Sequence, residues 1–309
     1  HPEAATPWAA CYHVDLWAGP DVNGLNTCSS GFSFNDFAIR QAYLTLNTPV
    51  GNGIDWKGGV FDTISGYEGL TSGNNPNYSR SYGFSMEPTT HTGVLGTYKV
   101  NDEVTVQAGL ADTSTLGGGA YAATINGANG FGGYFGLNTP TVLADVSLTA
   151  PDNFGAIKGA TLYGGVITTG GNTGATSLYV GATTPTPWSA IKFGGSFDYL
   201  DIHSSNSGVG ADSSAWNIAL YSTYQASDKL SFNFRGEYSK ADGYSAFTSN
   251  VVGGNNGEEL TVDAQYNLWA NVISRVEARW DHVEHGTIGG GPDDKANAFL
   301  LAAQFIYQF

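Results

Sequence analysis

The side chains able to do chemistry in this 309-residue chain are charged residues at every second position of otherwise apolar runs. Arg235 and Glu237 stand in LSFNFRGEYS, Asp263 in LTVDAQYNL, and Arg275, Glu277, Arg279 and Asp281 in VISRVEARWD. Alternate residues of a strand share a face, so each charged set lines up on one side while Phe, Leu, Val and Trp take the other. Asp55, Lys57, Lys99, Asp145, Lys192 and Asp198 belong to the same class in other segments, and the signs of the whole set nearly balance. The chemistry this implies is electrostatic: cross-strand pairs or solvated ladders along a wetted wall, rather than a reactive centre.

The sequence argues against catalysis and cofactors. In the DHVEH run, His282 and His285 are three apart, so on a strand their imidazoles diverge and no metal site is assigned. No Cys-x-x-Cys-His or Gly-x-Ser-x-Gly motif occurs. The glycine pairs at 164–165 and 170–171 and the triplet at 289–291 have no phosphate-loop context. His203 with Ser204 and Ser205 comes nearest to a nucleophile beside a base, and it reads as a plain polar loop.

These side chains need a large sheet to position them. Gly accounts for 43 residues, aromatics for 13% and charged residues for only 13%, about half the charge of an ordinary soluble domain. No run of about 18 apolar residues could cross a bilayer as a helix. The last segment, NAFLLAAQFIYQF, alternates Phe299, Leu301, Ala303, Phe305, Tyr307 and Phe309 against a second face that includes Gln304 and Gln308. A greasy final strand with nothing after it to cover it suits a lipid-facing barrel wall. Its terminal aromatics, Tyr307 and Phe309, resemble the assembly signal that closes bacterial outer-membrane barrels.

The same period-two pattern recurs along the chain. Short turns fall at 49–53, 101–102, 151–159, 185–188, 226–228 and 269–270, and the connections between them are mostly longer. Alternating short and long connections with both termini on the short-turn side is the pattern of an outer-membrane barrel, whose short turns face the periplasm. The expected fold is therefore all-β: a single transmembrane antiparallel up-and-down barrel over residues 1–309 with 14 strands. In the second strand Arg40 falls on the same side as Ala42, Leu44 and Leu46, which leaves its facing unclear. A soluble sandwich would also alternate, but with more Lys and Glu on its solvated face and no regular alternation of loop lengths.

Net charge is -15, which leaves no basic stripe for nucleic acid. With no initial Met and no signal peptide, the chain reads as a processed or partial mature chain. Cys11 and Cys28 are consistent with one disulfide in an oxidising compartment or with two free thiols.

Residues 49–69, PVGNGIDWKGGVFDTISGYEG, and 75–102, NPNYSRSYGFSMEPTTHTGVLGTYKVND, resemble the signature region of the β-barrel porin-2 family of Gram-negative bacteria. The likeness continues more loosely over 37–47 and 142–167. It implies an outer-membrane channel for small solutes and brings no catalytic residues. Members of the family usually carry further N-terminal sequence, which would make 16 strands in a complete precursor.

The long stretch 63–90 is the main functional candidate, with Tyr67, Glu68, Tyr78, Arg80, Tyr82, Phe84 and Glu87. An external loop of this length either folds inward to narrow the pore or packs outside as a cap. Folded inward, Arg80 and Glu87 opposite the lumen charges would set size and charge selectivity. The acidic excess is assigned to loops, at Asp21, Asp212, Glu258, Glu259, Asp293 and Asp294, and predicts a mild cation preference. Expected partners are outer-membrane lipid and lipopolysaccharide and, through the C-terminal strand, the barrel-assembly machinery. The aromatic content suits either a homo-oligomer interface or lipid belts. The alternative function is a structural anchor or sheath whose lumen is filled by another chain.

Overall fold

The computed structural model describes residues 8–19, 37–111, 140–169, 173–186, 188–204, 213–242, 251–252, 256–284, 287–288 and 295–309. The strands in chain order are β1 (Ala10–Ala18), β2 (Phe37–Thr48), β3 (Ile54–Asp62), β4 (Thr90–Lys99), β5 (Val104–Ala111), β6 (Thr141–Thr149), β7 (Thr161–Thr169) and β8 (Thr173–Pro185). They continue as β9 (Ile191–Ser204), β10 (Ser213–Gln225), β11 (Leu230–Asp242), the short β12 (Val251–Val252), β13 (Asn256–Trp269), β14 (Val272–Val283), the short β15 (Thr287–Ile288) and β16 (Asn297–Tyr307). Fourteen of them form one antiparallel sheet in sequence order, and β12 and β15 pair separately. The strand count and all six short turns agree with the sequence reading.

The alternation of side chains explains the sheet. Tyr12, Leu44, Leu220, Leu301 and Phe305 are exposed on one face, whereas Asn217, Arg235, Asp263 and Glu277 are buried on the other. A sheet that is greasy outside and polar inside is the inverse of a soluble sandwich, and lipid makes it stable. Aromatics collect at two heights of the outer face. Trp56, Trp188, Tyr224, Tyr266, Trp269 and Tyr307 lie near the short turns, and Trp280 and Phe299 lie toward the opposite end. Phe299 and Tyr307 are eight residues apart in β16, roughly 27 Å along the strand, the spacing of two interfacial girdles.

The ambiguous facing of β2 has a local cause. The register between β1 and β2 shifts between Asp15 and Leu16, so Asp15 opposes Gln41 while Leu16 opposes Ile39. Arg40 is the extra residue of a β-bulge, and the bulge turns both Arg40 and Gln41 inward. Arg40 then pairs with Asp15 at 3.0 Å and with Asp62, and its guanidinium lies over the Trp17 ring.

One expectation is corrected here. Glu258 and Glu259 do not sit in a loop: β13 begins at Asn256, because its ladder with β11 extends to the Lys240–Asn256 pair. The connection from β3 to β4 includes a 3-10 turn at Ser72–Asn74 and a short helix, α1, at Tyr82–Met86. Cys11 carries a free, exposed thiol, and its expected partner Cys28 lies outside the described residues. So do Asp21, Asp212, His285, Asp293, Asp294 and the side chain of His203.

Candidate functional site

The site is the polar face of the sheet together with the connection from β3 to β4. Ile64 packs on an apolar cluster of Phe61, Leu95, Ala111, Leu143 and Ile167, all on the inward side of β3–β7. Ser65 lies against Gly165 of β7, Tyr67 stacks on Tyr221 of β10 at 4.0 Å, and Gly73 sits beside Gln308, just past β16. One connection reaching this whole arc of a single face requires the sheet to roll round it.

The seat of α1 is made by small residues. Tyr82 and Met86 pack on Ala175, Leu200, Ala215 and Ala241, where alanines on β8, β10 and β11 leave room for a helix. Ser81 caps the helix by accepting a hydrogen bond from the Phe84 N–H at 3.0 Å. Gly83 meets the wall so closely that a Cβ there would lie 2.5 Å from Oδ2 of Asp198 and 2.9 Å from Nδ2 of Asn217. Gly83→Val is expected to lift α1 from the wall at a cost of about 1–3 kcal/mol. Faster hydrogen exchange confined to residues 78–87 would report it; unchanged exchange would refute the contact.

Arg235 is the hub. Its guanidinium forms ion pairs with Glu68 at 2.8 Å, Glu237 at 3.0 Å and Glu259 at 3.0 Å, and all four side chains are fully buried. It also donates to the Ser79 and Arg80 carbonyls and to Ser79 Oγ. Glu237 accepts from the Tyr82 N–H at 2.8 Å, and Glu277 accepts from the Tyr78 and Ser79 N–H groups. Arg275 donates to the Ser72 and Asn75 carbonyls, and Arg279 to the Arg80 carbonyl and to Asp281. Tyr82 Oη donates to Asp281 at 2.7 Å. The backbone polar groups of the connection, which a barrel interior must satisfy somehow, are thus met by ionised wall side chains.

The remaining expected residues fall in three places. Arg80 turns back on its own segment, donating to the Leu70 carbonyl and standing over the Phe84 ring, and burial lowers its pKa. Glu87 is buried beside the buried Asp198 carboxyl. Burial foremost, then the neighbouring Asp198 and Glu68, raise its pKa well above the ordinary carboxylate value. Burial also pushes the Tyr67 hydroxyl up to about 12. Asp263 is buried and accepts from Asn233 at 3.2 Å. Lys99 is exposed and paired with Asp102 across a turn, Lys192 is exposed near the start of β9, and Lys57 is half-buried on β3.

Sequence reasoning missed several members of the network. Glu259 was assigned to a loop, and Asn217 and Ser79 carried no charge signal. Arg40, Asp15 and Asp62 come together only through the bulge. The detectable clue was the alternation of Arg235, Glu237 and Ser239 with Phe234 and Tyr238, which extends naturally to the opposing Glu259.

The family model described as "Putative beta-barrel porin-2, OmpL-like" matches residues 4–309. No curated protein matches the chain. Among solved structures, Pseudomonas putida OprB at high pH is similar with TM-score 0.57 and 10% identity, covering 92% of this chain and 76% of that one. The outer-membrane channel DcaP of Acinetobacter baumannii gives 0.53 and 11%, covering 96% and 94%. Vibrio cholerae OmpT in its trimer form gives 0.53 and 14%, covering 89% and 82%. At these identities the likeness is one of fold.

Proposed function

This chain belongs to the beta-barrel porin-2, OmpL-like family of the Gram-negative outer membrane, and from that premise we propose that it lets small hydrophilic solutes and ions diffuse passively through its lumen. Residues 63–89 act as the inward constriction, and the passage has a mild preference for cations. The observation that carries this reading is the wall-to-loop network centred on Arg235, which ties the segment to the polar face at Glu68, Ser79 and Arg80. A loop anchored by buried ion pairs narrows a lumen without sealing it, provided one side of the wall stays uncovered. The cation preference is supported by the net charge of -15 and by Asp15, Asp62 and Asp145 on the inward side of β1, β3 and β6.

The barrel's expected partners are lipid and lipopolysaccharide around its apolar face and the assembly machinery at Tyr307 and Phe309, both exposed at the chain end. The trimer form of the similar OmpT supports a homo-oligomer as a further proposal.

Single-channel recording in a planar bilayer under a salt gradient tests the function. Stable open steps whose reversal potential favours cations are expected. A barrel that stays closed would overturn the channel and favour an anchor with a sealed lumen.

A further inference from the structure

We propose that the conducting passage runs along the inward wall of β1–β6, and that Lys57 is the residue whose charge sets ion preference within it. The inference rests on the channel reading above and places its selectivity.

The arginines that the sequence puts in the lumen are already occupied. Arg235 and Arg275 are 1% and 3% exposed, and loop carbonyls or carboxylates take their donors. Arg279 is closed by Asp281 and the Arg80 carbonyl. A cation so surrounded has little field left to offer a passing ion, because its partners cancel it at contact distance.

The opposite wall is different. Thr45, Lys57, Thr97, Gln107 and Asp145, on the inward side of β2–β6, are half-buried rather than buried. Arg40 is clamped between Asp15 and Asp62, so its charge is spent locally. Lys57 is not: its Nζ lies 4.6 Å from the Tyr43 ring centroid and 5.7 Å from that of Phe61, with no ion pair among the described residues. Aromatic faces hold an ammonium in place without neutralising it. A fixed cation without an ion pair, which Asp62 reaches only at longer range, raises the barrier to cations and lowers it for anions on a half-exposed wall. In this chain it moderates the net acidic field left by Asp145 and by the Arg40 cluster, whose two carboxylates outnumber its one cation, which accounts for a preference that is mild.

The register supplies a native probe. Cys11 opposes Thr45, and Thr45 opposes Lys57, so the exposed thiol lies in the same cross-strand row, about 10 Å away across two strand spacings.

The test compares reversal potentials of the wild type, Lys57→Glu and Arg279→Gln, each shown to be folded by its heat-modifiable electrophoretic mobility. Lys57→Glu is expected to shift the cation-to-anion permeability ratio several-fold toward cations, and to shift it more than Arg279→Gln does. In a Cys28→Ser background, a positively charged methanethiosulfonate reagent at Cys11 should shift the ratio toward anions, with no effect once Cys11→Ser is added. A folded, conducting Lys57→Glu barrel with the wild-type ratio, or a larger shift from Arg279→Gln, overturns this inference alone. A wild-type barrel that never conducts overturns the channel reading and this inference with it.

Discussion

Arg235→Met is expected to destabilise the barrel by about 3–5 kcal/mol, the cost of leaving buried charges without their partner. Glu68, Glu237 and Glu259 all face this guanidinium, and none has side-chain exposure to recover hydration. Methionine fills similar volume, so the loss is electrostatic rather than a cavity effect. The first consequence is local, because Glu68 and Ser79 belong to the connection whereas Glu237 and Glu259 belong to the wall. Repulsion among the three carboxylates drives the segment off β11. Denaturant unfolding in detergent micelles should show a lower midpoint, and single channels should show larger, noisier openings. Adding Glu259→Gln should restore part of the stability, since one of the orphaned charges is then removed. A loss below about 1 kcal/mol for Arg235→Met would mean that the network contributes no more than an exposed ion pair.

How much of this was legible in the sequence depends on the range of the interaction involved. Strand count, turn positions and the facing of β11, β13 and β14 followed from period-two alternation, because lipid outside and polar groups inside impose opposite requirements on adjacent residues. Arg40 was unreadable because a bulge breaks that alternation by one residue, and only the pairing partner shows it. Glu259 was misplaced because a strand end has no covalent mark; the ladder with Lys240 and His282 extends it. The arginine ladder reads as inward, in cross-strand pairs or solvated ladders, and the pairing of Arg235 with Glu259 fits the first. Its further partners are backbone carbonyls 156 to 200 residues away in sequence, and carbonyls leave no signature in a string of side chains. Nothing in the sequence marks the alanines at 215 and 241, and only the docked Tyr82 and Met86 show why they are small.

The second large effect is on pH. Glu87 and Asp198 are buried carboxyls that act on each other, and the pair is tolerated only while one of the two holds a proton, since two carboxylates repel and have no hydrogen to share. Glu87 closes α1 at its C-terminal end, and Asp198 projects from β9 beside Gly83. The groups facing Glu87 are Asp198 from β9, Tyr179 from β8, and Glu68 with the Tyr67 backbone from the connection. None of them is a cation. Because the docked segment raises the Glu87 pKa, it holds a proton more tightly than the released segment does. Docking is therefore fully supported below the ordinary carboxylate value near 4.5 and weakens as pH rises through the raised one. Between those two values the released fraction grows by up to about tenfold per pH unit for one proton, and above the raised one it levels off. Open-channel noise and proteolysis within residues 63–89 should rise as pH climbs above the ordinary carboxylate value and then level off. Glu87→Gln offers an amide N–H to Asp198 at every pH and should flatten both curves. Parallel curves for the wild type and Glu87→Gln would show that the latch lies elsewhere, and Glu87 would then be a buried residue with no part in holding the constriction.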